Sequence, residues 1–327
     1  MSSPTDAAAP DEPHPATDGV TPGEPRPATE AAASGEPHRP TDPAASGEPR
    51  PATDAPPSGD PQAPQIRLGE AVALGALHGP AELMPISSSG HVALVPWLLR
   101  WHYSRADPDV RKAFEVALHA GTAGALLIAL RHEVIETASD LTPERAGWLA
   151  LATAPAALVG LVLEGPIERR LGTPGTIAIG MIGGAAAMAV ADRRPQDRSE
   201  HDAGWADALW LGVAQACALY PGVSRNGATL TAGRLRRFAR QDANRLSRLL
   251  ALPVIGGATG LKSLRLARRG LPTGTAPAFA AGAAVSFVST LLSTWAIRQV
   301  ERDRSLAPYW GYRLALGGLA LVRAARP

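Results

Sequence analysis

The chain has 327 residues, with 32 Lys and Arg against 30 Asp and Glu, a mean hydropathy of -0.02 and one cysteine. The lone Cys217 excludes an intrachain disulfide framework and any multi-cysteine zinc site, and in an apolar stretch it reads as a small buried hydrophobe. The balanced charge hides two unlike regions: the first 62 residues hold 15 of the 31 prolines, and their 11 acidic residues against three arginines give about −8, leaving about +10 for the rest.

The N-terminal region is rich in Pro, Ala and Thr and nearly devoid of large apolar side chains, so residues 1–65 are expected to be a disordered, solvated tail. A twelve-residue repeat runs through it as Asp11-Glu-Pro-His, Gly23-Glu-Pro-Arg, Gly35-Glu-Pro-His, Gly47-Glu-Pro-Arg and Gly59-Asp-Pro-Gln. Its proline content fits local polyproline character rather than a solenoid. The basic start and apolar stretch of a signal peptide are lacking.

From Ile66 onward the composition turns to Ala, Leu, Gly and Val, with charges confined to short islands. A bilayer-spanning helix needs roughly 17–25 mostly apolar residues. Six stretches approach this: 113–130, 148–163, 176–191, 246–264, 276–297 and 309–322. The bland alternative is a soluble helical core. Gly180, Gly183 and Gly184 in the charge-poor 176–191 stretch favour close helix packing in lipid.

Two further apolar stretches, 68–99 and 205–235, are interrupted near their middles by proline, glycine and small polar residues. Paired interruptions in two halves fit inverted repeats whose broken helices meet at a central site. The expected fold is therefore an all-α polytopic membrane protein with about six full spans and a re-entrant helical hairpin in each repeat. Residues 66–327 form the membrane domain. Irregular backbone at membrane depth must line protein or a wet cavity, so the two breaks should face each other across a polar chamber.

Each break begins a half-helix, whose free amides and dipole favour an anion. Ser87, Ser88, Ser89, Ser224 and Thr229 add hydroxyls, and Arg225 adds a planar cation suited to phosphoryl oxygens. Ionisable residues within apolar segments are expensive, which makes Glu82, His91 and Arg225 functional candidates, although Glu82 and Arg225 would also serve as a buried ion pair. Cleavage of a phosphoanhydride needs charge neutralisation, an oriented nucleophile and a proton route. Arg225 answers the first, a serine deprotonated by His91 or a water the second, and His91 the third, with Glu82 orienting a base or binding a divalent metal. His78 and Glu82, four residues apart, share a helix face and are expected as joint metal ligands or as packing residues. Glu115 and His119 share another face and should point to the chamber, while Gln215 is placed to bond across the second hairpin. The arginines of 234–248 and the island 262–269 read as juxtamembrane charge marking the cytoplasmic side and facing anionic lipid rather than nucleic acid.

These residues resemble the undecaprenyl-diphosphate phosphatase family linked to bacitracin resistance, from about Ile66 to the C-terminus. His78-Gly-Pro-Ala-Glu-Leu-Met-Pro-Ile-Ser-Ser-Ser-Gly-His91 is similar to the family's acidic-x-x-x-Glu stretch and Pro-x-Ser-Ser-Ser/Thr-Gly-His. Pro221-Gly-Val-Ser-Arg-Asn-Gly-Ala-Thr229 is similar to its Pro-Gly-x-Ser-Arg-Ser-Gly-Ala-Thr. The resemblance implies hydrolysis of undecaprenyl diphosphate to the monophosphate and phosphate in a bacterial cell membrane, recycling the carrier lipid for peptidoglycan. It also implies Mg or Ca support and a pocket opening away from the cytoplasm. Glu82, Ser88, His91 and Arg225 take the catalytic roles, and Ser87, Ser89, Ser224, Asn226 and Thr229 surround the phosphates. His78 and Glu82 are the metal residues, and the expected partners are the lipid substrate, the membrane and a second copy as homodimer. Two positions depart from the pattern: His78 replaces a usual Glu or Gln, and Asn226 a usual Ser. The rival reading is a polyprenyl-phosphate transporter using the same anion site.

Overall fold

The computed structural model describes residues 66–326, so the expected disorder and repeats of 1–65 lie outside the described residues. Among the described residues there is no strand, one isolated bridge joining Arg198 to Phe238. The helices are α1 Leu68–Leu83, α2 Ser88–Leu98, α3 Pro108–Ala129, α4 Arg131–Ser139, α5 Pro143–Leu171, α6 Pro174–Asp192, α7 Trp205–Cys217, α8 Arg225–Leu235, α9 Arg240–Arg269, α10 Ala276–Leu292, α11 Trp295–Arg302 and α12 Ala307–Ala324. Local chemistry sets several of their starts. Asp107, Thr142 and Thr173 each precede a proline, and their side-chain oxygens accept the amides of Asp109, Arg145 and Thr176. The oxygen satisfies an orphan amide while the following proline carries none to satisfy.

Both interrupted stretches are helical hairpins. Met84, which precedes Pro85, is forced out of the helical region to φ -89, ψ 152, and this ends α1. The two returning helices match closely. α2 and α8 are each 11 residues long. Each is capped by a serine at positive φ, Ser87 at 78° and Ser224 at 72°, whose hydroxyl accepts the amide of Gly90 or Gly227. Each ends in an arginine at positive φ, Arg100 or Arg237, followed by the same pair of closing bonds: Arg100 to Trp97 and Trp101 to Pro96, Arg237 to Arg234 and Phe238 to Gly233.

The hairpins close at opposite ends of the molecule. At one end, Ile66, Tyr103, Val110 and Phe279 pack together with Leu266 of α9, and Glu70 of α1 accepts the amides of His102 and Tyr103. At the other, Asp207 of α7 pairs with Arg198 at 2.8 Å and Arg236 at 2.6 Å, while Arg240 at the start of α9 pairs with Asp192 at 2.7 Å. Their tips meet between, where the Asn226 amide donates to the Leu83 carbonyl at 2.8 Å. Each hairpin leans on the other half of the chain: α1 packs on α10, and α7 on α5. The α1–α10 approach depends on Gly75 and Gly79, since a Cβ at Gly75 would stand 2.6 Å from the Gly282 carbonyl and one at Gly79 2.5 Å from the Thr290 amide.

Four helices, Pro108–Ala129, Pro143–Ile167, Pro174–Asp192 and Arg240–Arg269, are long and apolar enough to cross a membrane. The 276–297 stretch does not continue as one helix: α10 and α11 are bent by 47° and count as a fifth span only as a pair. The bend takes Arg298, Glu301 and Arg302 out of line with α10, consistent with the cost of charge at membrane depth. Leu158, Leu161 and Val162 are 63 %, 68 % and 71 % exposed. Such a surface argues against the soluble alternative and for lipid as its solvent.

Three local expectations are corrected. Cys217 is exposed, because its α7 position faces outward beside Trp210 and Val213 rather than into the core. Gln215 donates to the Ala152 carbonyl of α5 at 2.8 Å instead of bridging its own hairpin. The basic islands 234–248 and 262–269 stand at opposite ends of α9, so one membrane side does not hold both, and the first is not simply a lipid-facing face: Arg234 is fully buried and donates to the carbonyls of Arg194, Pro195 and Phe238, and Arg248 pairs with Glu133 and Glu301. Loop carbonyls and carboxylates, which need donors when buried, have drawn these side chains inward.

Candidate active site at the two helix breaks

The tips of the hairpins wall a cavity of about 230 Å³ whose lining includes Glu82, Ser87, Ser88, Ser89, Ser224, Arg225 and Asn226. α3 and α9 complete it with Lys112, Glu115, His119 and Lys262. Lys112 and Lys262 continue into a neighbouring depression with Asp109, Arg265 and Arg269, so the polar space opens toward the end where α3 begins and α9 finishes. A second, smaller crevice shares Glu82, Arg225 and Asn226 with the cavity and is otherwise lined largely by apolar side chains, among them Leu83, Leu126, Leu130, Leu252 and Ile297. Polar and apolar spaces thus meet at one ion pair.

That pair is Glu82 and Arg225, 3.8 Å apart and brought from different hairpins. The second carboxylate oxygen of Glu82 accepts the Ser88 hydroxyl at 2.5 Å. Arg225 also donates to the Ser247 carbonyl at 3.3 Å, while its Nε has no partner. Arg225 lines both the cavity and the crevice, which places its guanidinium to meet an acceptor there. The first residues of α2 and α8 line this space, so it lies at the N-terminal, positive ends of two helix dipoles whose opening amides lack intrahelical acceptors. Ser87 and Ser224 hold that geometry. Their positive φ costs of order 1–3 kcal/mol each, offset in part by the cap bond each hydroxyl oxygen accepts.

Not every residue expected at the site faces the cavity. His91 is turned away: its Nδ1 donates to the Ser87 carbonyl at 2.6 Å, so its Nε2 accepts the Tyr312 hydroxyl at 2.7 Å, and the two rings lie nearly parallel. Thr229 donates to the Arg225 carbonyl at 3.0 Å and meets the Ser247 hydroxyl at 2.5 Å. Asn226 lines the cavity, but its Nδ2 is used on Leu83 and its Oδ1 accepts the Ser247 hydroxyl. Glu115 and His119 do face the chamber.

Two residues on α12 were not singled out by sequence reasoning. Tyr312 holds His91, and the fully buried Arg313 donates to the carbonyls of Pro85, Gly222 and Val223, tying both breaks together. Its guanidinium sits where a Cβ on Gly227 would stand 2.7 Å away. The available signal was a single arginine within a mostly apolar run, the pattern that flags a functional position in a membrane segment.

His78, Glu82 and His119 bring one ligand atom each within 4.8 Å of one another. His78 and His119 meet edge to face with centroids 4.6 Å apart, and His78 Nε2 is a buried atom without a partner. The expected metal residues His78 and Glu82 are therefore joined by His119. Two imidazoles and one carboxylate do not fit Mg or Ca, which take oxygen ligands.

The model of the family described as bacitracin resistance protein BacA matches residues 71–319. The undecaprenyl-diphosphatase of Geobacter sulfurreducens is 39% identical over 265 residues, 77% of this chain and 96% of that protein. That of Geobacter metallireducens is 38% identical over 265 residues with the same coverage, and undecaprenyl-diphosphatase 2 of Stutzerimonas stutzeri is 35% identical over 268 residues, 77% of this chain and 97% of its own. The match includes the breaks of both hairpins and every residue of the cavity wall named above, and the chain belongs to the bacitracin resistance protein BacA family.

Proposed function

We propose that the chain hydrolyses undecaprenyl diphosphate to undecaprenyl phosphate and inorganic phosphate, with Ser88 as nucleophile and Glu82 as its base. The observation that carries the chemistry is the 2.5 Å bond from the Ser88 hydroxyl to Glu82, made within a cavity whose wall includes Arg225. Ser88 Oγ attacks the terminal phosphorus, its proton passes to Glu82, and the phosphoanhydride bond breaks to release the lipid monophosphate. Water then attacks the phosphoserine as Glu82 returns its proton to Ser88 Oγ, restoring the dyad and yielding phosphate with the water's protons. Charge on the transferring group is met by Arg225 and by the amides opening α2 and α8. Ser89, Ser224 and Asn226 border the phosphates, and His91 acts as a positioning residue through the Ser87 carbonyl. The apolar crevice at the same ion pair suits the prenyl chain.

The finer architecture follows the same reading. The matched α2 and α8, with hairpins closing at opposite ends, support two inverted repeats. The bent α10–α11 pair and the 18-residue α12 bring the four clear spans to six. We place the protein in a bacterial cell membrane, with the Lys112–Lys262 mouth on the extracytoplasmic side, where it recycles the carrier lipid for peptidoglycan synthesis and confers resistance to bacitracin.

Purified full chain given undecaprenyl diphosphate should release one phosphate per lipid and leave the monophosphate. Lipid bound at the site with no release would instead favour the transporter reading.

A further inference from the structure

We propose that His78, Glu82 and His119 form a binding site for a borderline first-row divalent cation of the Zn²⁺ class, selected over Mg²⁺ and Ca²⁺. The hydrogen bonds around the two imidazoles carry the argument. The Thr290 hydroxyl donates to the Ser286 carbonyl at 2.7 Å, and the Ser286 hydroxyl donates to the Leu118 carbonyl at 2.9 Å. Both oxygens are then acceptors toward Thr122, which meets Ser286 Oγ at 2.9 Å. With its proton given to Ser286, Thr122 accepts from His78 Nδ1 at 2.9 Å. His78 Nε2 is left as a bare lone pair, buried and without a partner.

His119 is arranged the same way. Its Nδ1 donates to the Glu115 carbonyl at 2.8 Å, which leaves Nε2 as the basic nitrogen. One ligand atom from each of His78, Glu82 and His119 lies within 4.8 Å of the other two, a convergent set that calls for a cation. Metal-bound histidines are oriented in this way, the second ring nitrogen donating to a carbonyl or hydroxyl behind it. Two imidazoles with one carboxylate are the ligands of a zinc site that keeps an open position, and Glu82 and His119 both border the cavity. Ligands about 2.1 Å from a tetrahedral ion stand ~3.4 Å apart, so the three converge by roughly an ångström on binding.

The inference concerns the chamber assigned to hydrolysis, but cation binding is measured without lipid, so the two readings fail separately. The full chain, stripped with chelator, is titrated with Zn²⁺, Mg²⁺ and Ca²⁺ and examined with Co²⁺ by visible absorption. One Zn²⁺ per chain is expected, bound at least about 100-fold more tightly than Mg²⁺ or Ca²⁺. Co²⁺ should show the intense d–d bands of a low-coordinate nitrogen-ligated centre. His119→Gln and His78→Gln should each weaken Zn²⁺ at least about tenfold and remove those bands. Equal affinity of the wild type for Zn²⁺ and Mg²⁺, which requires no variant to fold, would overturn the proposal. So would Zn²⁺ binding that both variants retain, or no binding of any cation, in which case a proton fills the cluster.

Discussion

At the residue scale, the division of labour follows from which atoms are already engaged. Arg225 lines the cavity with only one weak carbonyl bond and a 3.8 Å ion pair, so its terminal nitrogens keep capacity for a ligand. Arg225→Lys keeps the charge but loses the fork; phosphate release should fall by about 10- to 100-fold, the loss of one charge-assisted hydrogen bond, as read from initial rates. His91 behaves differently because it touches Tyr312 and Ser87 rather than the cavity. Tyr312→Phe should slow release by up to about tenfold, the rate equivalent of one ~1.4 kcal/mol bond, at nearly unchanged KM. Adding Tyr312→Phe to His91→Ala should cost nothing further, since both act on one contact. Glu82 and Arg225 were legible as candidates because charged side chains stand out where an apolar run breaks, whereas Ser88 was separated from its serine neighbours only by the family resemblance. The orientation of His91 was not, because its partner lies on α12, far along the chain, and nothing in the hairpin's own residues announces it.

At the element scale, the two half-helices explain why an anion site forms between hairpins that share little sequence. The cap serine, the glycine three residues on and the closing arginine recur in both, while the residue after the cap differs: Ser88 in α2, Arg225 in α8. One frame therefore presents a nucleophile and the other a cation. Ser224→Ala should remove about 1 kcal/mol of cap stabilisation, seen as a lower melting temperature in detergent, and the same holds for Ser87→Ala. Packing of α1 on α10 makes a sharper prediction. Gly79→Leu drives a side chain against the Thr290 backbone, which cannot rotate away, and should destabilise by about 1–3 kcal/mol or more. Gly183→Leu, on α6 with open space around it, should leave the melting temperature nearly unchanged. The breaks were readable from proline and glycine placement. The bend between α10 and α11 was not, because 276–297 is apolar enough to pass as one span, and only the charges just beyond it pull the chain aside.

At the scale of the whole molecule, a polar cavity and an apolar crevice converge on the Glu82–Arg225 pair, held where two hairpins from opposite ends touch. This is the shape required by a substrate with a charged head and a long hydrocarbon tail. Arg313 secures the meeting point from α12 by bonding carbonyls of both breaks, so the site belongs to the assembled fold rather than to either hairpin. The central claim is that the Ser88–Glu82 dyad cleaves the diphosphate, and the most direct measurement is phosphate release from undecaprenyl diphosphate by purified wild type beside Ser88→Ala and Glu82→Gln, with lipid binding measured in parallel. The account predicts turnover by the wild type, a fall of about 100-fold or more in each variant, and binding retained in Ser88→Ala. Wild-type rates in Ser88→Ala would contradict it.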